Sequence, residues 1–159
     1  MQTKLMITGH RNLKNRDWTK QVIDDILTKA HNKYQDNLKC LCGLALGADT
    51  IFGLLALDKG IDLWAYPSGL WQADRWRSED KMVWEKLYHG ASATNCVGET
   101  NRPYLRRNDN MVRDADVALV VWDGRRGGGT YYTMNKIIEK GIIWGHINPK
   151  LKTLRWQNQ

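Results

Sequence analysis

Four short segments of this chain set glycine beside charged or hydroxyl-bearing residues, each next to an apolar run. They are "TGHRN" (Thr8–Asn12), "GLALGAD" (Gly43–Asp49), "YPSG" (Tyr66–Gly69) and "DGRRGGGT" (Asp123–Thr130). The chemistry such segments suit is anion binding, in which uncovered backbone N–H groups and guanidinium donors close on a phosphate. Gly9 lets the chain turn sharply off the run before it. Arg11 then either faces a phosphate bidentately or makes a surface ion pair. Gly43 and Gly47 flank a turn into a helix whose first N–H groups would face an anion. Asp49, in the first turn of that helix, either holds a ribose hydroxyl or complements the helix dipole. Gly127, Gly128 and Gly129 leave the backbone bare, and Thr130 reads as an N-cap whose hydroxyl could instead meet phosphate. Gly124 and Gly129 have the separation of a Walker A loop, but Thr130 stands where its lysine belongs, and no GxGxxG follows a strand.

The elements that must position these residues follow from periodicity. Short apolar runs at Lys4–Thr8, Leu38–Cys42, Ile61–Tyr66 and Val117–Trp122 predict strands. The last of these is nearly unbroken in its apolarity, as expected for a strand buried on both faces. Val22, Ile23, Ile26, Leu27 and Ala30 recur at helical spacing after Asp17, which predicts a helix to about Lys33. Further helices are expected over Ala48–Lys59, over residues 78–89, from Pro103, where proline suits a first turn, and over Thr130–Lys140. "ATNCVG" reads as a short strand and "IIWGHI" as the last one. The alternation of strand and helix predicts an α/β fold, an open parallel sheet with helices on both faces. One domain is expected over residues 1–149, with a loose tail over 150–159.

Composition narrows the classes. The chain has 159 residues, is 42% hydrophobic and carries a net charge of +7. No run of about 18 apolar residues is present, so no membrane span is expected. The first residues turn polar too early for a secretory signal, which makes the cytoplasm the expected compartment. Cys40 and Cys42 lie two apart in a strand and so share one face, and Cys96 is alone, a pattern for reduced thiols rather than a disulfide framework. His10, His31, His89 and His146 are scattered, so no structural metal is expected. A basic chain with eight tryptophans suits either nucleic acid or a small phosphorylated ligand.

"ITGHR", "GLALGAD", "RRND" and "DADVALVVWDGRRGGGT", in that order over about residues 4–147, resemble the SLOG superfamily. It groups the DNA-processing DprA/Smf proteins, the Lonely Guy phosphoribohydrolases and small YspA-like proteins. The resemblance implies a Rossmann-like fold that binds nucleotides or nucleotide-derived ligands, and proteins of this group often dimerise. The positions matching its motifs are Gly9, His10 and Arg11; Gly43, Gly47 and Asp49; Arg107 and Asn108; and Gly128, Gly129 and Thr130. The phosphoribohydrolases and the similar deoxyribosyltransferases keep a glutamate three residues after the Gly–Thr pair, where its carboxylate serves the anomeric carbon. Here that position is Thr133, which carries no charge.

Three functions follow as expectations. The first is binding, without catalysis, of a nucleotide or nucleotide-derived phosphorylated ligand, with a tryptophan such as Trp71 or Trp122 stacking on a base. The second is an N-glycosidase or nucleotide hydrolase that uses another acid, such as Asp123, Asp49 or Glu79. The third is single-stranded nucleic-acid binding of the DprA kind, through Arg75, Arg77, Arg102, Arg106, Arg107, Arg113, Arg125 and Arg126 with Trp71 and Trp76.

Overall fold

A computed structural model describes all residues 1–159. The elements alternate as β1 (Thr3–Gly9), α1 (Arg16–Tyr34), β2 (Leu38–Cys42), α2 (Ala48–Asp58), β3 (Asp62–Ala65), α3 (Ser78–Gly90), β4 (Ala93–Thr94), α4 (Pro103–Asp114), β5 (Val117–Val121), α5 (Gly128–Lys140), β6 (Ile143–Asn148) and β7 (Thr153–Gln157). The strands form one sheet in the order β4-β3-β2-β1-β5-β6-β7. All pairs are parallel except β6 with β7.

Alternation of side chains along the strands divides the core between the two faces of the sheet. Leu5 and Ile7, Cys40 and Cys42, Leu63 and Ala65, and Leu119 and Val121 join a cluster with Ile23 and Leu27 of α1, Phe52 of α2 and Leu87 of α3. Met6, Leu41, Ala118 and Val120 point the other way, onto Met111 and Val112 of α4 and Met134 and Ile137 of α5. The sheet is therefore covered on both faces, which explains why β5 has no polar face in its sequence. The two cysteines of β2 share one face, and burial pushes both thiols upward in pKa.

β1 holds the middle of the sheet. The chain winds from it through β2 and β3 to β4 on one side, then crosses to β5 on the other. Such a reversal opens a crevice beyond the carboxyl ends of the two central strands, because the loops leaving β1 and β5 lead to opposite faces.

Two sequence expectations change. The segment after Pro149 is not loose: Thr153–Gln157 forms β7, antiparallel to β6, with Trp156 opposite Gly145. The Trp156 ring lies about where a side chain at Gly145 would, 3.1 Å from the ideal Cβ position, so the tail closes the sheet edge by filling a glycine gap that its own sequence does not reveal. At the other edge the strand expected in "ATNCVG" is only Ala93–Thr94.

α4 and α5 are tied together at their far ends. Lys140, the last residue of α5, donates from Nζ to the carbonyls of Val112 (2.7 Å) and Arg113 (2.9 Å) and to that of Ala115. These are carbonyls that the end of α4 leaves without helical partners, and a lysine there also meets the negative end of the helix dipole.

Candidate functional site

A cleft of about 330 Å³ opens where the β1 and β5 loops part. It is lined by Thr8, Gly9, His10 and Arg11 from the end of β1, Ala45 and Asp49 around the start of α2, Tyr104, Leu105, Arg107 and Asn108 of α4, and Gly129 and Thr130 of α5. Eight residues anticipated from sequence thus meet in one place: Gly9, His10, Arg11, Asp49, Arg107, Asn108, Gly129 and Thr130. Thr8, Ala45, Tyr104 and Leu105 were not anticipated. Tyr104 carried a signal, being an aromatic one residue past a helix-starting proline on a helix that otherwise presents arginines.

Gly43, Gly47, Gly127 and Gly128 stand outside the lining, and the first two act through packing. A Cβ on Gly43 would lie 2.5 Å from Nη1 of Arg107 and 2.8 Å from Oδ2 of Asp49, so glycine is what admits both side chains. Gly47 has φ +83°, and a Cβ there would meet the carbonyl oxygens of both His10 and Arg11 at 2.4 Å. The N–H of Ala48 donates to the His10 carbonyl at 3.2 Å. The Ala48 N–H at the start of α2, expected to face an anion, is therefore taken by the loop after β1.

The start of α5 is open instead. Gly127 is its cap residue, with φ 89° and no side-chain cap, and Gly128 follows at φ 82°. Thr130 is thus not the N-cap expected from sequence: the glycines start the helix two residues earlier, and Thr130 lies in its first turn on the cleft wall. Side chains at Gly127 and Gly128 would meet nothing within 4 Å, and one at Gly129 would approach only the Asn108 amide nitrogen at 4.0 Å. The first N–H groups of α5 are left without a side-chain cap beside this open space, where the helix dipole favours negative charge.

Arg107 dominates the floor. It is 4% exposed. Its Nη1 donates to the carbonyl of Gly43 and, at 3.4 Å, to that of Tyr66. Its Nε is buried and has no partner. Arg107 belongs to none of the ion pairs of the molecule. Burial pulls its pKa below the usual arginine value, while the nearby Asp49 opposes that shift. Asp49, also buried, accepts from the Ala45 N–H at 3.3 Å. Burial raises its carboxyl to about 6, outweighing the opposing influence of Arg107.

The Asp49 shift has a consequence for stability. A carboxyl whose pKa rises on folding from 3.8 to about 6 holds its proton more tightly in the folded chain between those values. Its contribution to stability is present below the unfolded value and is lost as pH rises through the folded one. Asp49→Asn, which keeps an acceptor for Ala45, is expected to melt higher than the parent at pH 7.5, by roughly 2–3 kcal/mol of stability. That advantage should vanish toward pH 4. Parallel melting curves with no pH-dependent gap would show that Asp49 is not held in this environment.

The rest of the ring is tied down or displayed. His10 Nε2 lies 3.1 Å from both the backbone N–H and Oδ1 of Asp123, and burial lowers its pKa. Asp123 also pairs with Arg125 at 2.9 Å, which holds its carboxyl below the usual range. Arg11 is exposed, with its guanidinium carbon 5.9 Å from the centre of the Tyr104 ring. Of the arginines expected to form a nucleic-acid groove, Arg77 faces Asp80, Arg113 pairs with Asp114, Arg125 pairs with Asp123 and Arg107 is interior. Arg75, Arg102 and Arg126 are exposed outside any ion pair. Trp76 packs against the core.

Thr133 does not line the cleft. It is fully buried, and its hydroxyl donates to the Gly129 carbonyl one turn back at 2.8 Å. Of the acids considered as replacements, Asp49 alone lines the cleft.

A parallel sheet reversing at its centre, with a crevice beyond the strand ends, defines the Rossmann-like class. Within that class the chain is similar to DNA processing protein A (DprA) from Streptococcus pneumoniae, with a TM-score of 0.67 at 20% identity over 91% of this chain and 50% of that one. It is similar also to DprA from Helicobacter pylori, a protein described by its single-stranded DNA binding mode, with a TM-score of 0.63 at 18% identity over 89% and 63%. A third likeness, to the structural-genomics target TM1055, has a TM-score of 0.53 at 14% identity over 88% and 71%. The chain spans about half the length of the Streptococcus protein. At these identities the likeness is one of fold, and it is the fold that the resemblance to the SLOG superfamily implies. No family model and no curated protein matches the chain. No helix is long and apolar enough to cross a membrane.

Proposed function

We propose that the chain is a SLOG-type protein whose cleft binds a nucleotide or nucleotide-derived ligand by its phosphate, without turning it over. The observation that carries this reading is Arg107, a 4%-exposed guanidinium with an unpartnered Nε and no ion pair, on the wall of an open cleft. Burying a cation costs several kcal/mol unless an anion compensates it. The one nearby carboxylate, Asp49, offsets part of this charge, but it forms no ion pair with Arg107 and burial opposes its ionisation. A phosphate between Arg107, Arg11 and the first N–H groups of α5 would supply further negative charge and meet two kinds of donor suited to it, guanidinium and backbone N–H. The uncharged, buried Thr133 supports binding over glycosidic chemistry.

Calorimetric titration with mono-, di- and cyclic nucleotides, NAD and ADP-ribose tests the reading. At least one should bind at micromolar concentration, with the nucleotide recovered intact. Absence of binding to all of them at millimolar concentration would sink it.

A second reading takes the phosphate from a single nucleic-acid strand. It is favoured by the fold shared with the two DprA structures and by the exposed Arg75, Arg102 and Arg126. It requires a salt-dependent mobility shift of single-stranded oligonucleotides.

A further inference from the structure

Two large aromatic side chains remain on display at the mouth of the cleft. Trp71 and Tyr104 are each 40% exposed. Their ring centres lie 6.0 Å apart at an interplanar angle of 89°. Two rings so disposed form a right-angled corner, in which a flat group stacked on one meets the other edge-on, both favoured aromatic geometries. The neighbouring Leu70 is 62% exposed, so the corner belongs to a small apolar patch beside an otherwise polar cleft. Tyr104 belongs to both the corner and the cleft wall. The guanidinium carbons of Arg11 and Arg107 stand 5.9 and 6.0 Å from its ring centre, so cationic and aromatic surfaces meet at one residue.

Trp71 is also held in place. Its indole lies over Gly69, where a Cβ would come within 2.2 Å of the ring nitrogen. Trp122, the other tryptophan suited by sequence to stacking, is already engaged. It stacks on Tyr131 at 5.9 Å, and its N–H donates to the Arg125 carbonyl at 2.7 Å.

Resting on the phosphate reading of the cleft, we infer that the Trp71–Tyr104 corner is the seat of the ligand's base, and that the ligand is a mononucleotide-sized molecule rather than a sugar phosphate or bare phosphate. A ligand whose phosphate lies between Arg107 and the start of α5 presents what its sugar carries to the Tyr104 wall. A planar heteroaromatic group there gains stacking that a sugar alone lacks. The cleft volume, about 330 Å³, is at the small end for ligand pockets and suits one nucleotide unit rather than a strand.

The test compares ribose 5-phosphate with the 5′-monophosphates of adenosine, guanosine, cytidine and uridine by calorimetry, on the parent chain, Trp71→Ala and Gly69→Ala. Trp71 is a surface residue, and circular dichroism checks that both variants remain folded. The expected result is that at least one monophosphate binds more tightly than ribose 5-phosphate. Trp71→Ala should weaken that nucleotide by roughly 5- to 150-fold, the range that stacking of one base supplies, and leave ribose 5-phosphate unchanged. Gly69→Ala should reproduce the loss by pushing the indole off its bed. Nucleotide should also quench a fraction of the tryptophan fluorescence that is missing from Trp71→Phe.

Equal weakening of both ligand types would overturn the inference, since Trp71 would then shape the cleft rather than hold a base. An unchanged nucleotide affinity in Trp71→Ala would overturn it as well. So would Trp71-dependent binding of oligothymidylate with no mononucleotide binding, which would give the corner to a strand. If ribose 5-phosphate and the nucleotides all fail to bind the parent chain, the phosphate reading itself falls, and the two failures are thereby told apart.

Discussion

Arg107→Met should abolish binding of a phosphorylated ligand, with affinity falling more than about 100-fold, because losing one partner of a buried charge pair costs roughly 2–5 kcal/mol. The folded state should survive the change. Two contributions offset each other. The carbonyls of Gly43 and Tyr66 lose a donor, at a cost of about 1–3 kcal/mol for buried groups left unsatisfied. Against this, the cost of burying the cation is removed, and the remaining Asp49 carboxyl, already raised to about 6, can take up a proton rather than stay buried as an uncompensated charge. Arg107 also draws the Asp49 carboxyl downward, so in the variant Asp49 should titrate above the value of about 6 it has in the parent. Arg107→Lys keeps the charge but not the planar fork, and should bind with an intermediate affinity. Calorimetry gives the affinities, and thermal melts over pH 5–8 report Asp49. Parent-like affinity in Arg107→Met would place the anion away from this cleft.

Gly47→Ala should be the most destabilising small substitution in the chain. At φ +83° any side chain is strained, at about 1–3 kcal/mol. The new Cβ would also come within 2.4 Å of the carbonyl oxygens of His10 and Arg11, which are backbone and cannot swing aside. Displacing them adds an overpacking cost of about 1–3 kcal/mol. For a chain of 159 residues the two together lower Tm by roughly 4–24 °C. Because the loop that must move carries Arg11, ligand affinity should fall with stability. Gly60→Ala is the control: its φ is +70°, yet its Cβ would meet nothing within 4 Å. It should show the conformational cost alone, about 1–3 kcal/mol. Equal melting shifts in the two variants would mean that the loops after β1 and β2 do not pack as described.

The elements were legible because each carries a period of its own. The alternation in β1 and β2 sends Leu5 and Cys40 to one face and Met6 and Leu41 to the other, and the apolar spacing of α1 is visible from Val22 to Ala30. The convergence of Gly9, Asp49, Arg107 and Gly129 was legible for a different reason: parallel strands send their carboxyl ends, and the loops beyond them, to one side. What the glycines do was less legible. Sequence marks Gly43 and Gly47 as glycines near a ligand, whereas their decisive neighbours are Arg107 and the loop after β1, contacts separated by tens of residues. Thr130 misled because a hydroxyl at a helix start usually caps it, and here backbone freedom at Gly127 replaces the cap. β7 was hidden because only Leu154 and Trp156 of its five residues are large and apolar, and the gap that Trp156 fills lies on another strand. Tyr104 was missed because its partners, Trp71 and Arg11, come from other loops.

The clasp of Lys140 on the end of α4 bears on how firmly the crevice is framed. α4 brings Tyr104, Arg107 and Asn108 to the crevice, and α5 brings Gly129 and Thr130. With the Lys140 ammonium on the last carbonyls of α4 at one end and the Tyr132 hydroxyl on Asp109 at 3.0 Å nearer the crevice, the two helices are pinned at two levels. Pinned in this way, α4 and α5 hold the Arg107 side chain and the start of α5 at one spacing, and the Arg107 bonds to the carbonyls of Gly43 and Tyr66 fasten that pair to the ends of β2 and β3. A crevice braced on both sides would need little reordering to receive a ligand, which keeps the entropic cost of binding low.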